Sequence, residues 1–157
     1  MTEPRVSVLF LCTGNTARSQ IAEAILRHLS HGAIEVASAG TLPKPEIHPM
    51  ARQAVRNLLG LEMTGQYPKS LDQFVHRDFD YVMTVCDRAA ETCPVFPGDP
   101  ERIHWSFEDP AAVTGTDEHK QRAFDNVARQ LLGRMRVWLA LPALRDKIEP
   151  KPAKGLP

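Results

Sequence analysis

The sequence predicts an α/β domain in which a parallel sheet carries helices on both faces. Three observations lead there. Apolar runs of strand length alternate with stretches whose apolar residues recur at helical spacing, the pattern of βαβ units. The first run is almost continuously apolar, as suits a strand covered on both sides. The 157 residues match one ordinary domain, which buries roughly 68–70% of its unfolded surface without needing a disulfide or a metal.

The elements follow in order. Arg5–Leu11 reads as a buried strand through Val6, Val8, Leu9, Phe10 and Leu11. Ala17–Leu29 reads as a helix, with Ile21, Ala24, Ile25 and Leu29 on one face. Ile34–Ala39 is a second short strand, closed by Gly40, and the two prolines of Thr41–Glu46 make a loop. Pro49 suits the first turn of a helix striped by Ala51, Ala54, Val55 and Leu58, and Gly60 ends it. Tyr81–Val85 and Arg102–Trp105 read as the third and fourth strands. Between them Cys86–Cys93 is polar, helix-compatible and stopped by Pro94. The strongest periodicity joins Phe124, Val127, Leu131, Met135, Trp138 and Leu141. Thr116 can cap that helix, Asp117 and Glu118 suit its first turn, and Pro142 ends or kinks it. The expected organisation is a domain over residues 1–144 and a disordered Pro- and Lys-rich tail over 145–157.

Composition narrows the function. Lys plus Arg is 19 and Asp plus Glu is 19, so bulk charge does not recruit nucleic acid or an acidic membrane. No apolar run approaches the ~18 residues of a membrane span. Met1–Arg5 carries no signal-peptide pattern, so the cytoplasm is the expected compartment. Three cysteines cannot pair completely, and in that compartment they read as free, catalytic or redox-active. A single neutral domain is expected to be a monomer.

In open α/β sheets ligands sit at the carboxyl ends of the strands, which directs attention to Cys12-Thr13-Gly14-Asn15-Thr16-Ala17-Arg18-Ser19. This loop follows a strand and opens a helix. Its backbone N–H groups can converge on a tetrahedral anion, helped by the helix dipole. Gly14 tolerates positive φ, and Asn15 is the next best residue for it. The Arg18 fork can hold two anion oxygens. The same field is expected to lower the Cys12 thiol pKa, with Ser19 donating to the thiolate. A nucleophile at the floor of an oxyanion site results.

The Cys, five residues, Arg, Ser spacing resembles the low-molecular-weight protein tyrosine phosphatase superfamily, from Val6 to about Leu141. The resemblance implies a single flavodoxin-like domain with a four-stranded parallel sheet flanked by helices. It also implies a general acid in an Asp-Pro dipeptide on a late loop, which Asp109-Pro110 matches. Asp99-Pro100 reads as a surface turn. Phosphatases of this superfamily usually follow that dipeptide with an aromatic residue, and here Ala111 stands there without a ring.

The run Tyr81-Val82-Met83-Thr84-Val85-Cys86-Asp87, the later Cys93-Pro94, and His104-Trp105 before Phe107-Glu108-Asp109-Pro110 resemble the thioredoxin-coupled arsenate reductase family. That resemblance implies a relay. Cys12 attacks arsenate, Cys86 attacks Cys12 to release arsenite, and Cys93 moves the disulfide to Cys86–Cys93 for an external dithiol, thioredoxin fitting best. Phosphate or sulfate is expected to compete with arsenate. No tightly bound cofactor is implied, although family members bind potassium near positions matched by Asn15 and Glu23. The segment Tyr67–Asp72 does not match that site cleanly. A phosphatase of the same fold and a non-enzymatic thiol sensor are the alternatives. A zinc site joining the distal cysteines to His104 lacks the usual spacing and a fourth ligand.

Geometry adds one inference of its own. Cys86 and Cys93 are seven residues apart, about 10.5 Å of rise on a helix, whereas a disulfide needs Cα atoms within roughly 4.4–6.8 Å. A helical segment between them must unwind on oxidation.

Overall fold

A computed structural model describes residues 6–149. Its four strands are β1 (Val6–Cys12), β2 (Ile34–Gly40), β3 (Tyr81–Thr84) and β4 (Glu101–His104). They form one sheet in the order β2-β1-β3-β4, and every pairing is parallel. Helices α1 (Arg18–Ser30), α2 (Pro49–Leu59), α3 (Asp87–Thr92), α4 (Asp117–Leu139) and α5 (Pro142–Ile148) make the connections and the close of the fold. The architecture is the α/β sheet that the sequence predicts.

The central strands are buried because parallel connections place helices over both faces. Val8, Leu9, Phe10 and Leu11 of β1 are fully covered, as are Val82 and Met83 of β3. Phe124, Leu131 and Met135 of α4 join Ile21, Ile25 and Leu26 of α1 in the same core. His48 caps α2 by accepting the Met50 N–H at 3.1 Å, and its ring packs 4.5 Å from that of Phe124. Thr116 caps α4 through the His119 N–H, as expected.

Boundaries shift by one residue at several ends, where helix and strand termini fray. The larger difference lies at the expected tail. Pro142 starts a helix instead of only ending one, and α5 runs through Ile148. Leu144 is buried, and the Lys147 ammonium donates to the Tyr81 hydroxyl at 3.0 Å. The order therefore extends past residue 144. Arg5 of the first expected strand and the remainder of the expected tail, 150–157, lie outside the described residues.

Parallel strands aligned this way bring the ends of β1, β3 and β4 to one edge. Cys12 ends β1, Cys86 lies just past β3, and Asp109 lies beyond β4.

Candidate active site

The loop after β1 is held from outside by its own carbonyls. The Cys12, Thr13, Gly14 and Thr16 oxygens accept from the Thr41, Leu42, Lys44 and His48 N–H groups at 2.9–3.2 Å. A trans peptide points its N–H opposite its C=O, so this pattern turns loop N–H groups inward. Helix α1 begins at Arg18 with no side-chain cap, which leaves its first N–H donors for an anion.

Asn15 ties the loop together from below. Its φ is 54°, the left-handed conformation expected of it. Its amide donates to Ser19 Oγ at 2.8 Å and to Ser38 Oγ at 3.0 Å. Its Oδ1 accepts from the Lys69 backbone at 2.9 Å and from Gln20 at 3.0 Å. Two expectations are corrected here. Gly14 is not among the residues with positive φ; Asn15 takes that conformation instead. Ser19 Oγ accepts from Asn15 and so braces the loop; no hydrogen bond between it and Cys12 is present among the described residues.

Beneath the loop, sequence reasoning named Gly40 only as a strand end and Glu23 only by resemblance, and missed Ser38 and the Lys69 ammonium. A Cβ on Gly40 would sit 2.5 Å from the Thr13 carbonyl oxygen and 3.0 Å from the Asn15 Cβ. The close approach of the loop to the end of β2 thus requires glycine there. Ser38 donates to Glu23 Oε1 at 2.7 Å, and Glu23 Oε2 pairs with Arg27 at 2.7 Å. The half-buried Lys69 ammonium stands 3.9 Å from the same carboxylate and donates to the Tyr67 carbonyl at 2.8 Å. Two cations already neutralise buried Glu23, so these residues do not fit the additional monovalent cation that the resemblance implies near Asn15 and Glu23. Among the described residues no cluster of His, Cys, Asp and Glu is placed to hold a metal ion, and the zinc alternative finds no set of ligands there.

Above the loop lies a cavity of about 240 Å³ lined by Cys12, Thr13, Gly14, Thr16, Ala17, Arg18, Leu42, Lys44, Asp109 and Ala111. No aromatic ring lines it. Arg18 is aimed by the Phe107 carbonyl, which accepts from Nη1 at 2.9 Å. Its Nη2 stands 4.0 Å from Asp109 Oδ2. Asp109 also caps the turn Pro110–Ala112 through the Ala111 N–H. It therefore forms a turn and faces the cavity.

Cys12 and Cys86 are both buried and free, and their thiols interact directly. Two adjacent thiols share one proton readily and give up the second with difficulty. The donors around the pair favour a thiolate on Cys86. The Cys86 thiol is lowered to about 5, first by its hydrogen bond with Cys12, then by the Thr13 hydroxyl, the Ala89 N–H and the Arg18 charge, against burial. Thr13 Oγ1 lies 3.5 Å from the Cys86 sulfur. Cys12 is raised by the same Cys86 contact, by burial and by the Cys86 charge, while Arg18 and the Asn15 N–H pull it down. Local spacing showed the field on Cys12, and the family resemblance implied that Cys86 meets it.

Cys93 is separate. It ends α3, with its thiol 3.7 Å from the Pro94 carbonyl. It borders a cavity of about 140 Å³ between α3 and the sheet. Burial raises its pKa, and the Arg102 charge opposes the rise. Residues 87–92 are helical, so the two distal cysteines are held apart in this state.

Comparison with known proteins gives a consistent picture. The family model described as low molecular weight phosphotyrosine protein phosphatase matches residues 7–147. An arsenate reductase of Halalkalibacterium halodurans is 36% identical over 131 residues, which cover 83% of this chain and 93% of that one. The solved thioredoxin-dependent arsenate reductase of Corynebacterium glutamicum superposes with a TM-score of 0.62 at 32% identity. That match covers 88% of this chain but only 65% of the longer relative. A low molecular weight protein tyrosine phosphatase from T. tengcongensis gives a TM-score of 0.70 at 22% identity, over 85% of this chain and 97% of that one, a likeness of fold alone.

Proposed function

This chain belongs to the low molecular weight phosphotyrosine protein phosphatase family, and we propose that within it the chain is an arsenate reductase running a three-thiol relay. The observation that carries this reading is a second thiol, Cys86, brought to the oxyanion loop, with Thr13 Oγ1 3.5 Å from its sulfur. A phosphatase needs no second thiol at that point.

Arsenate enters the cavity and is held by the loop N–H groups and the Arg18 fork. The Cys86 thiolate is positioned to take the Cys12 proton, which frees Cys12 to attack arsenic. An arsenate oxygen leaves as water, with Asp109 supplying a proton. This is a condensation, and arsenic stays As(V). Cys86 passes that proton to an oxygen of the arsenic adduct and, again a thiolate, attacks the Cys12 sulfur. The S–As bond breaks, its electron pair stays on arsenic, and arsenite leaves as As(III). The Cys12–Cys86 disulfide remains. Cys93 thiolate next attacks the Cys86 sulfur and expels Cys12 as thiolate, with no net change of electrons. The Cys86–Cys93 disulfide awaits a dithiol, thioredoxin by analogy with the C. glutamicum relative.

The three thiols, Arg18 and Asp109 come from one chain, so a monomer suffices. Phosphate and sulfate, as tetrahedral oxyanions, compete for the same N–H groups. The reducing cytoplasm keeps such thiols free. Lys69 and Arg27 stand where the resemblance implies potassium, so no step requires that ion. The phosphatase reading is weaker because the cavity wall at Ala111 offers no ring for a phosphotyrosine. The sensor reading leaves Arg18 and Asp109 without a task.

The test is arsenate-dependent NADPH oxidation with thioredoxin and thioredoxin reductase. Turnover should disappear in Cys86→Ser and in Cys93→Ser. Unchanged turnover in either variant would refute the relay.

A further inference from the structure

Two facts about the segment Cys86–Cys93 stand in tension. As a helix it keeps its cysteines too far apart for a disulfide, yet the relay requires that bond. Something must hold the segment closed while Cys86 serves Cys12 and release it afterwards. The segment is one short helix with little buried surface. Ala90 N–H donates to the Cys86 carbonyl at 3.2 Å, Thr92 Oγ1 donates to the Arg88 carbonyl, and only Ala89 within α3 is buried.

The remaining ties come from one side of the neighbouring edge. Residues 102, 104 and 106 alternate along β4 and its extension, a spacing that puts their side chains on one face of a strand. At the start of the segment, His104 Nε2 lies 2.9 Å from Asp87 Oδ1, and Ser106 Oγ donates to the same oxygen at 3.2 Å. Thr84 Oγ1 orients the His104 ring through Nδ1 at 2.7 Å. At the far end, Arg102 Nη2 donates to the Pro94 carbonyl at 2.7 Å, one residue past Cys93. Both ends of the redox segment are thus gripped by β4, the edge strand of the sheet.

We propose that Arg102, His104 and Ser106 form a clasp that positions the redox segment, and that its release lets Cys93 reach Cys86 and presents their disulfide to the dithiol reductant. This rests on the three-thiol reading. None of the three contacts the oxyanion, and of them only the Arg102 charge acts on a relay sulfur, favouring the Cys93 thiolate. They are positioning residues whose work is to set how often α3 opens. The site is polar and solvent-accessible, so its bonds can break and reform without disturbing the core.

The test compares the wild-type chain with Asp87→Ala, Arg102→Met and Asp87→Asn. The first readout is amide exchange of the reduced protein. Asp87→Ala and Arg102→Met should each exchange about tenfold faster across residues 88–93, while the strands stay unchanged. Asp87→Asn keeps an acceptor oxygen and should recover part of the protection. The second readout is quenched-flow mass spectrometry after arsenate. Formation of Cys86–Cys93 should accelerate in Asp87→Ala. Formation of Cys12–Cys86, followed in a Cys93→Ser background, should not. Arg102→Met also loses the charge that favours the Cys93 thiolate and is read by exchange alone. Equal exchange in all proteins, or exchange raised uniformly over the whole chain, would overturn the clasp, and this result needs no arsenate. Absence of any Cys86–Cys93 bond in the wild type would overturn the relay itself, and with it the clasp's role.

Discussion

Several donors meet on the Cys86 sulfur and favour its thiolate, while the Cys86 contact and burial disfavour a charge on Cys12. A pH dependence follows. The Cys86 thiol is lowered from 9.0 to about 5, so its thiolate is present above that value and is lost as pH falls through it. The attack of Cys86 on Cys12 should fail over the same range. Thr13→Val removes one donor to the thiolate and should raise the midpoint by about one unit. The rate of Cys12–Cys86 disulfide formation against pH, in a Cys93→Ser background, measures this; an unmoved midpoint would deny Thr13 its part. Cys12 and Arg18 were singled out by local spacing and Asp109 by the family resemblance, and the structure brings the three to one cavity. Thr13 acting on Cys86, 73 residues away, was not legible, since no local pattern records which strand ends meet.

At the scale of elements, the oxyanion loop depends on the strand beside it. Gly40 ends β2 where a Cβ would press 2.5 Å from the Thr13 oxygen. Gly40→Ala must displace that backbone, and kcat/KM for arsenate should fall about a hundredfold. Steady-state turnover checks it, and a change under threefold would contradict the tight seat. Gly133, exposed in α4, has nothing within 4 Å of its would-be Cβ. Gly133→Ala should instead stabilise the fold by about 0.5–1 kcal/mol, seen as a higher midpoint in urea. The sequence showed the glycine after the second strand as a strand end. It did not show that a loop lies against it. Amphipathic α4 was legible from periodicity alone, but α5 was not. Its seven residues are too few for a periodic signal, and it forms because Leu144 finds a place in the core.

Over the whole molecule, the order β2-β1-β3-β4 gathers the chemistry at one edge of the sheet. The alternation of strands and helices predicted that edge, and the resemblance predicted the reaction. The sequence pointed to Asn15 and Glu23 of the buried polar layer beneath the loop, but not to Gln20, Ser38 or Lys69, because the members come from distant stretches. Asn15, Gln20, Glu23, Ser38 and Lys69 acquire meaning only when packed together. With Lys69 and Arg27 already on Glu23, exchanging potassium for sodium at constant ionic strength should leave arsenate turnover and the phosphate dissociation constant unchanged. In Lys69→Met, phosphate binding should weaken severalfold, read by calorimetry. A potassium-specific gain in wild-type phosphate affinity would contradict this account. The central claim is that three thiols of one chain pass a single disulfide outward. Disulfide mapping by mass spectrometry after one equivalent of arsenate tests it most directly. The account predicts Cys86–Cys93 in the wild type and Cys12–Cys86 in Cys93→Ser, each with one arsenite released. Arsenite release without either bond, or both bonds forming without arsenate, would contradict it.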